Sequence, residues 1–311
     1  MAKTVLVVLI GSKDSGSKDS RQVDHYQSLQ EEAARTEGAR AGVGVEIVFA
    51  PGFDHLRVIG RRLRDASLPP LDAVVVEPGS ISATSFLLKD LKKAATGLVL
   101  LNAWSDEVET YEKTWGAGVP FGTVSTDHTR IGVIQGRQVT GMVSGRSHVL
   151  CVTGPMQSSS SVERLAGLKS ALDPAITLYE AEAGEWTEAD GASAFERWYA
   201  LFRSRTFVVD AVAAQSDELA IGAREASAAV SRPDHREMFA KARFLGVDAC
   251  PAFGRKRVAS GELAASVTAP ANTGEAIRYL VKFWATGQPV PIRAFTVPTP
   301  YPPSSVVSWP S

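Results

Sequence analysis

The sequence predicts an α/β protein built from two doubly wound parallel sheets. Three observations point there. Continuous apolar runs, such as TVLVVLI at Thr4–Ile10, alternate with segments of helical spacing. A strand with no polar face is one buried on both sides, as in parallel sheets covered by helices. The alternation runs to about Ser125 and then begins again, and 311 residues are too many for one ordinary hydrophobic core.

Taken in order, Thr4–Ile10 is the first strand and Tyr26–Glu37 the first helix. Val45–Phe49 is a strand, and His55–Ala66 a helix with Leu56, Ile59 and Leu63 on one face. Strand Ala73–Val76, helix Ser85–Ala95 and strand Gly97–Leu101 complete the first β-α-β-α-β series. The segment Ser105–Gly118 has no clear period. A short strand in VPFGTV leads into helix Asp127–Val143. The second series is strand Ser147–Thr153, helix Ser159–Leu172, strand Ile176–Ala181, helix Glu188–Arg203, strand Phe207–Ala213 and helix Asp217–Val230. Strand Ala242–Val247, a short helical segment to Ser260, strand Ala264–Thr268, helix Asn272–Thr286 and strand Arg293–Val297 follow. Gly11–Ser20 (GSKDSGSKDS) reads as a flexible loop after the first strand, either solvated or a lip over a cleft. The Pro-rich tail Pro298–Pro310 reads as extended.

Lys plus Arg number 33 and Asp plus Glu 34, a net charge of −1. That balance lacks the basic excess of a general binder of nucleic-acid backbones. Apolar residues at 44% and charged residues at 22% fit a folded soluble chain. Two cysteines, Cys151 and Cys250, make no disulfide framework. The apolar run Val5–Ile10 is too short for a membrane span of about 20 residues, and short for a signal-peptide core. As it stands the chain reads as leaderless and cytoplasmic; with a leader removed it reads as periplasmic.

The common catalytic and cofactor signatures are missing. No Gly-x-Gly-x-x-Gly follows the first strand, and there is neither a Walker-type loop nor a Gly-x-Ser-x-Gly elbow. His25, His55, His128, His148 and His235 lie scattered, with no metal-ligand pair. No cofactor, metal or catalytic residue is expected. Cys250 follows a strand and reads as a small buried cysteine before it reads as a nucleophile.

Polar residues instead gather where strands end. Glu77 ends AVVVE, Asn102 ends GLVLLN with Trp104 just beyond, Asp248 ends FLGVD, and Ser216 and Asp217 follow FVVDAVAAQ. The Ser-rich loop TGPMQSSSS, Thr153–Ser161, opens a helix. Singly, each is explained as a helix cap or turn former. Together they stand at the carboxyl ends of strands in both halves, where doubly wound sheets take their ligands. Planar polar groups and an indole are what a polyhydroxylated ligand requires.

Several segments, in order, resemble the type 1 periplasmic sugar-binding proteins and the ligand domains of LacI-like regulators. AAQSDELAIGA (Ala213–Ala223) resembles the family's Gln-Asn-Asp-x-x-Ala-x-Gly-Ala signature, and FLGVDACP its Gly-x-Asp segment. GELAASVTAPANTGEAIRYLVKF, VTGPMQSSSSVERLAGLKSAL, STDHTRIGVIQGRQ and DHYQSLQ are similar to further family segments. The resemblance implies two Rossmann-like lobes joined by three hinge crossovers and closing over a ligand in the cleft between them. It places the crossovers near Ser125, Ala269 and Val290. The lobes are then 1–124 plus 270–290, and 125–269 plus 291–311.

The resemblance further implies ligand contacts from Asp24, Tyr26, Glu77, Asn102, Arg164, Trp186, Ser216, Asp248 and Thr268, to which the strand-end and Ser-rich-loop readings add Trp104 and Ser158. Trp186 and Trp104 are also readable as packing residues, and Arg164 as a capping or paired cation. Ser216 stands where the family has Asn, Ala103 where ribose-type members have Arg, and Thr268 or Ala269 where Gln or Asn is usual. These departures point away from a ribose-like ligand. The implied function is to bind a small molecule, a monosaccharide or derivative, and deliver it to an ABC importer permease. The alternative is a cytoplasmic sugar or sugar-phosphate sensor acting through a signalling partner. Neither reading includes direct nucleic-acid binding, since no helix-turn-helix precedes Thr4. An enzyme on the same fold is the third reading, and no acid–base pair supports it.

Overall fold

The computed structural model describes residues 3–11, 24–50, 54–78, 81–93, 96–116, 118–204 and 206–305. The loop read from Gly11 to Ser20 lies outside them from residue 12, as does the tail from 306. The described chain forms two compact units. Unit 1 holds residues 3–11, Tyr26–Thr126 and Ala271–Thr296; unit 2 holds 24–25, Asp127–Pro270 and 297–305.

Unit 1 is a six-stranded parallel sheet in the order β11-β5-β4-β3-β1-β2. Its strands are β1 Thr4–Ile10, β2 Gly44–Ala50, β3 Ala73–Val76, β4 Gly97–Leu101, β5 Phe121–Thr126 and β11 Ala294–Thr296. The run TVLVVLI is apolar throughout because each face meets its own helices. Val5, Val7 and Leu9 pack with Ala276, Ile277 and Leu280 of α11, Thr273–Thr286. Leu6 and Val8 pack with Ile59 of α2, Asp54–Arg64, and with Leu87, Leu88 and Leu91 of α3, Ile81–Lys93. The first helix, α1, spans His25–Ala41.

Unit 2 repeats the plan with a four-stranded parallel sheet, β7-β6-β8-β9. These strands are β6 His148–Thr153, β7 Thr177–Glu182, β8 Ala211–Ala214 and β9 Arg243–Leu245. One face carries Leu150, Val152, Val212 and Ala214 against Phe195 of α7, Glu188–Phe202, and Leu219 of α8, Asp217–Ala228. The other carries Val149, Cys151, Ala211 and Ala213 against Val139 of α5, His128–Met142, and Leu168 of α6, Ser159–Ala171. The helix pair α5 and α6 approaches through Gly132 and Gly167, where an added Cβ would meet opposing backbone.

The structure alters the sequence reading in four places. Residues 291–296 belong to unit 1, not to the second lobe, because β11 pairs in parallel with β5 (Phe295 with Ser125). The third crossing therefore falls after Thr296 and not near Val290. Strand β8 begins at Ala211 and not at Phe207; the Phe207 ring stacks on His148 at 4.1 Å. Two helices stand where the sequence reading has none, α4 Asp106–Glu112 in the segment without a clear period and α9 Pro233–Lys241. Part of the extended tail is paired: β12, Thr299–Tyr301, runs antiparallel to β10, Ser266–Thr268.

Candidate functional site

In unit 1, three of the residues expected to face a ligand meet beyond the ends of β3 and β4. Glu77 and Asn102 are the first residues after those strands, and Tyr26 comes from the first turn of α1. The Glu77 carboxylate accepts from Asn102 Nδ2 at 2.9 Å and from Gln27 Nε2 at 2.8 Å. Asn102 Nδ2 also lies 3.4 Å from the Tyr26 hydroxyl. Asn102 takes a left-handed backbone (φ 49), which Asn tolerates better than most residues. Its Oδ1 accepts from Asn272 Nδ2 at 2.7 Å and from the Thr126 N–H at 3.3 Å. Trp104 follows Asn102 by two residues. It packs into the apolar layer under the sheet, with the Arg293 guanidinium 4.5 Å from its ring.

In unit 2, Arg164, Trp186 and Asp248 come together. Arg164, on α6, is 5% exposed and lies with its guanidinium carbon 5.4 Å from the Trp186 ring centre. Its Nε donates to His128 Nδ1 at 3.3 Å, its Nη1 donates to the Gln215 carbonyl, and its Nη2 stands 3.7 Å from Asp248 Oδ1. Trp186 packs on Gly154, where a Cβ would overlap the ring. Gln215 is 1% exposed and ties the strand ends together. It accepts from the Gly154 N–H and donates to the Ser161 carbonyl, both at 3.0 Å.

Burial, with the Arg164 charge beside it, holds His128 well below the usual histidine range. The neutral ring accepts from Arg164 at Nδ1, so its proton sits on Nε2 and is donated to Ser160 Oγ at 3.0 Å. A protonated His128 could not take the Arg164 hydrogen bond.

Asp248 and Ala249 both have left-handed backbones (φ 96 and φ 46) at the end of the short strand β9. Asp217 anchors that turn: its Oδ2 accepts from the Ala249 N–H at 2.8 Å and its Oδ1 from Ser266 Oγ at 2.7 Å. Burial and the neighbouring Asp248 push the Asp217 carboxyl well above its ordinary range. Thr268 sits beside Asp248 through a parallel bridge.

The remaining expected residues have other surroundings. Ser216 is 2% exposed and caps α8, its hydroxyl accepting from the Leu219 N–H at 3.1 Å. Ser158 opens α6 without a side-chain cap bond. Asp24 groups with unit 2, where its charge acts on Cys250. The sequence reading passed over Gln27, Thr126, His128, Ser160, Gln215 and Asn272. All six lie inside segments that carry the resemblance, Gln27 and Gln215 next to chosen residues; what the sequence does not mark is which partners the fold brings to them. Among the described residues no group of three His, Cys, Asp or Glu is placed to hold a metal ion, and no helix is long and apolar enough to cross a membrane.

The family profile described as periplasmic binding protein domain matches residues 12–289. A Rhizobium meliloti protein provisionally named as rhizopine-binding is 24% identical over 193 residues, 61% of this chain and 59% of the relative. The HTH-type transcriptional regulator AscG of Escherichia coli is 38% identical over 86 residues, 27% of this chain and 24% of the relative. The matched stretches thus span less than two thirds of these relatives' lengths. An ABC transporter solute binding protein from Bacillus halodurans with bound myo-inositol shares the fold at a TM-score of 0.73 and 19% identity, covering 98% of this chain and 96% of that one. A periplasmic solute binding protein from Actinobacillus succinogenes with bound D-allose does so at 0.77 and 15%, covering 98% and 99%.

Proposed function

The chain belongs to the periplasmic binding protein domain family, and from that premise we propose that it binds a small neutral polyol, a sugar or cyclitol, and passes it to an ABC importer in the periplasm. The observation that carries this reading is the composition of the two strand-end clusters. Glu77 and Asn102 in unit 1, and Arg164, Asp248 and Trp186 in unit 2, offer carboxylates, an amide, a guanidinium and an indole. Carboxylates and amides pair with hydroxyls, and a guanidinium forks onto two oxygens. Arg164 has Asp248 beside it and Glu77 is itself anionic, so these side chains carry no surplus positive charge for a phosphate or carboxylate. That favours a neutral ligand over a sugar phosphate. A relative named for xylitol, and neighbours holding myo-inositol and D-allose, agree with that class. The role is one of binding and not of turnover.

The match to AscG favours a second reading, a ligand sensor that acts on a partner protein. A thermal-shift panel of myo-inositol, xylitol, D-allose, L-arabinose and glucose 6-phosphate separates the two. Ligand binding to the folded state alone raises the melting temperature by mass action. A shift with a neutral polyol supports the transport reading. A shift with glucose 6-phosphate alone overturns it in favour of the sensor.

A further inference from the structure

A directed chain of hydrogen bonds runs from the points where the chain leaves unit 1 to the Glu77 carboxylate. Thr296 Oγ1 donates to Asn272 Oδ1 at 2.8 Å, Asn272 Nδ2 donates to Asn102 Oδ1 at 2.7 Å, and Asn102 Nδ2 donates to Glu77 Oε1 at 2.9 Å. Asn272 Nδ2 also reaches Thr126 Oγ1 at 3.2 Å, and the Thr296 and Thr126 hydroxyls are 3.1 Å apart. Thr126 and Thr296 are the last unit 1 residues before two crossings, and Asn272 is the second after another.

The direction of this chain is set by groups that have only one role. The Thr126 backbone N–H can only donate, so the Asn102 atom facing it is the oxygen. The other Asn102 atom is therefore the amide nitrogen, and it meets a carboxylate, which accepts. The group sharing Asn102 Oδ1 must also donate, so Asn272 turns its nitrogen inward and its oxygen to the Thr296 hydroxyl. Asn272 is fully buried (0% exposed), so it acts only through its neighbours. Its backbone is held separately, by Gln30 Oε1 accepting from the Asn272 and Thr273 N–H groups at 2.8 and 3.0 Å.

We infer that Asn272 is a positioning residue, which, with Thr296 behind it, reinforces the hold of the Thr126 N–H on the amide of Asn102 and keeps its donor toward Glu77. The inference deepens the binding reading, since Glu77 and Asn102 are residues proposed to meet the polyol. It predicts an order that a packing role would not give. Asn272→Asp is nearly isosteric, but its carboxylate presents acceptors to Asn102 Oδ1 and favours the flipped amide, whose oxygen then faces Glu77. Asn272→Ala only removes a donor. Asn272→Asp should therefore weaken binding more than Asn272→Ala, whereas a cavity effect gives the reverse.

The test has two arms. In calorimetry with myo-inositol as probe, Asn272→Ala should lose about tenfold in affinity and Asn272→Asp more. On an Asn102→Ala background, Asn272→Ala should cost nothing further. In NMR of the ligand-free protein, the Asn102 side-chain amide of the wild type should show one slowly exchanging proton shifted downfield by the carboxylate. Asn272→Ala, which leaves the Thr126 N–H and Glu77 in place, should weaken that signature, and Thr296→Val should weaken it less. An equal cost on the Asn102→Ala background, or an unchanged Asn102 signature in both variants, overturns the inference. If myo-inositol gives no heat with the wild type, the choice of ligand fails, and the NMR arm alone decides the role of Asn272.

Discussion

The guanidinium of Arg164 lies over Trp186, with its carbon 5.4 Å from the ring centre. Such stacking is worth about 0.5–2 kcal/mol, according to how far the cation is desolvated. It also holds a cation whose other edges are bonded to His128 and to the Gln215 carbonyl. Replacing Arg164 with Lys keeps the charge but loses the plane and the fork. Arg164→Lys and Arg164→Ala should both weaken ligand binding by about 1–3 kcal/mol. Gly154→Ala should do likewise by displacing the ring that the guanidinium covers. Calorimetric titration of the three variants checks this, and full affinity in Arg164→Lys contradicts the stacked-fork geometry.

His128 gives an acid limit. Its folded-state pKa lies below the ordinary 6.5, from burial first and the Arg164 charge second. The unfolded chain therefore binds the proton more readily, so stability is full above pH about 6.5 and falls as pH drops below it. Relative to His128→Asn, the wild type should lose up to about 1.4 kcal/mol per pH unit below that point. Denaturant melts of both proteins from pH 8 to pH 5 measure it; parallel profiles would mean that His128 is not held neutral.

Glu188 acts in the opposite sense. Burial, with Glu225 adding to it, pushes its carboxyl from the ordinary 4.5 up to about 7. A carboxyl with a raised folded-state pKa binds its proton more tightly when folded. Its contribution is complete below pH about 4.5 and is lost as pH rises through about 7. Glu188→Gln should match the wild type near pH 4 and exceed it at pH 8 by about 1–3 kcal/mol. That range allows for the favourable charge of a residue in the first turn of α7. Thermal melts at the two pH values decide it.

The contact of α5 with α6 rests on two glycines. A Cβ on Gly132 would meet the Arg164 carbonyl and the Leu168 N–H, and one on Gly167 the Thr129 carbonyl and the Val133 N–H. Each Gly→Ala change should destabilise unit 2 by about 1–3 kcal/mol through overpacking, despite the better helix propensity of Ala. Gly141, on the open side of α5 with nothing within 4 Å of an added Cβ, is the control. Its alanine variant should be neutral or slightly stabilising in the same melts.

Much of the fold could be read from the chain because inner strands such as β1, β3 and β4 are buried on both faces. In Thr4–Ile10 odd and even residues serve different cores, so the whole run had to be apolar. Helix α9 has no counterpart in the sequence reading, although its Pro233 stands where Pro is favoured, in a first helical turn. The sheet that β11 joins was not legible, since its pairing with β5 spans some 170 residues and leaves no local mark. The site was legible to the same depth. Glu77, Asn102, Arg164 and Asp248 stand at strand ends or in segments carrying the family resemblance. Asn272 is 170 residues from Asn102 and reads in sequence as a helix start only. His128 reads there as one scattered histidine, and only the fold sets it against Arg164.

The most direct measurement is calorimetric titration of the wild type, Glu77→Gln and Asp248→Ala with myo-inositol, xylitol, D-allose and L-arabinose. The expected result is saturable one-site binding of at least one of these by the wild type, weakened by about 1–3 kcal/mol in each variant. Binding that both variants retain in full would remove the proposed site. Absence of binding to all four, in protein first unfolded and refolded to release any ligand carried through purification, would contradict the neutral-polyol function itself.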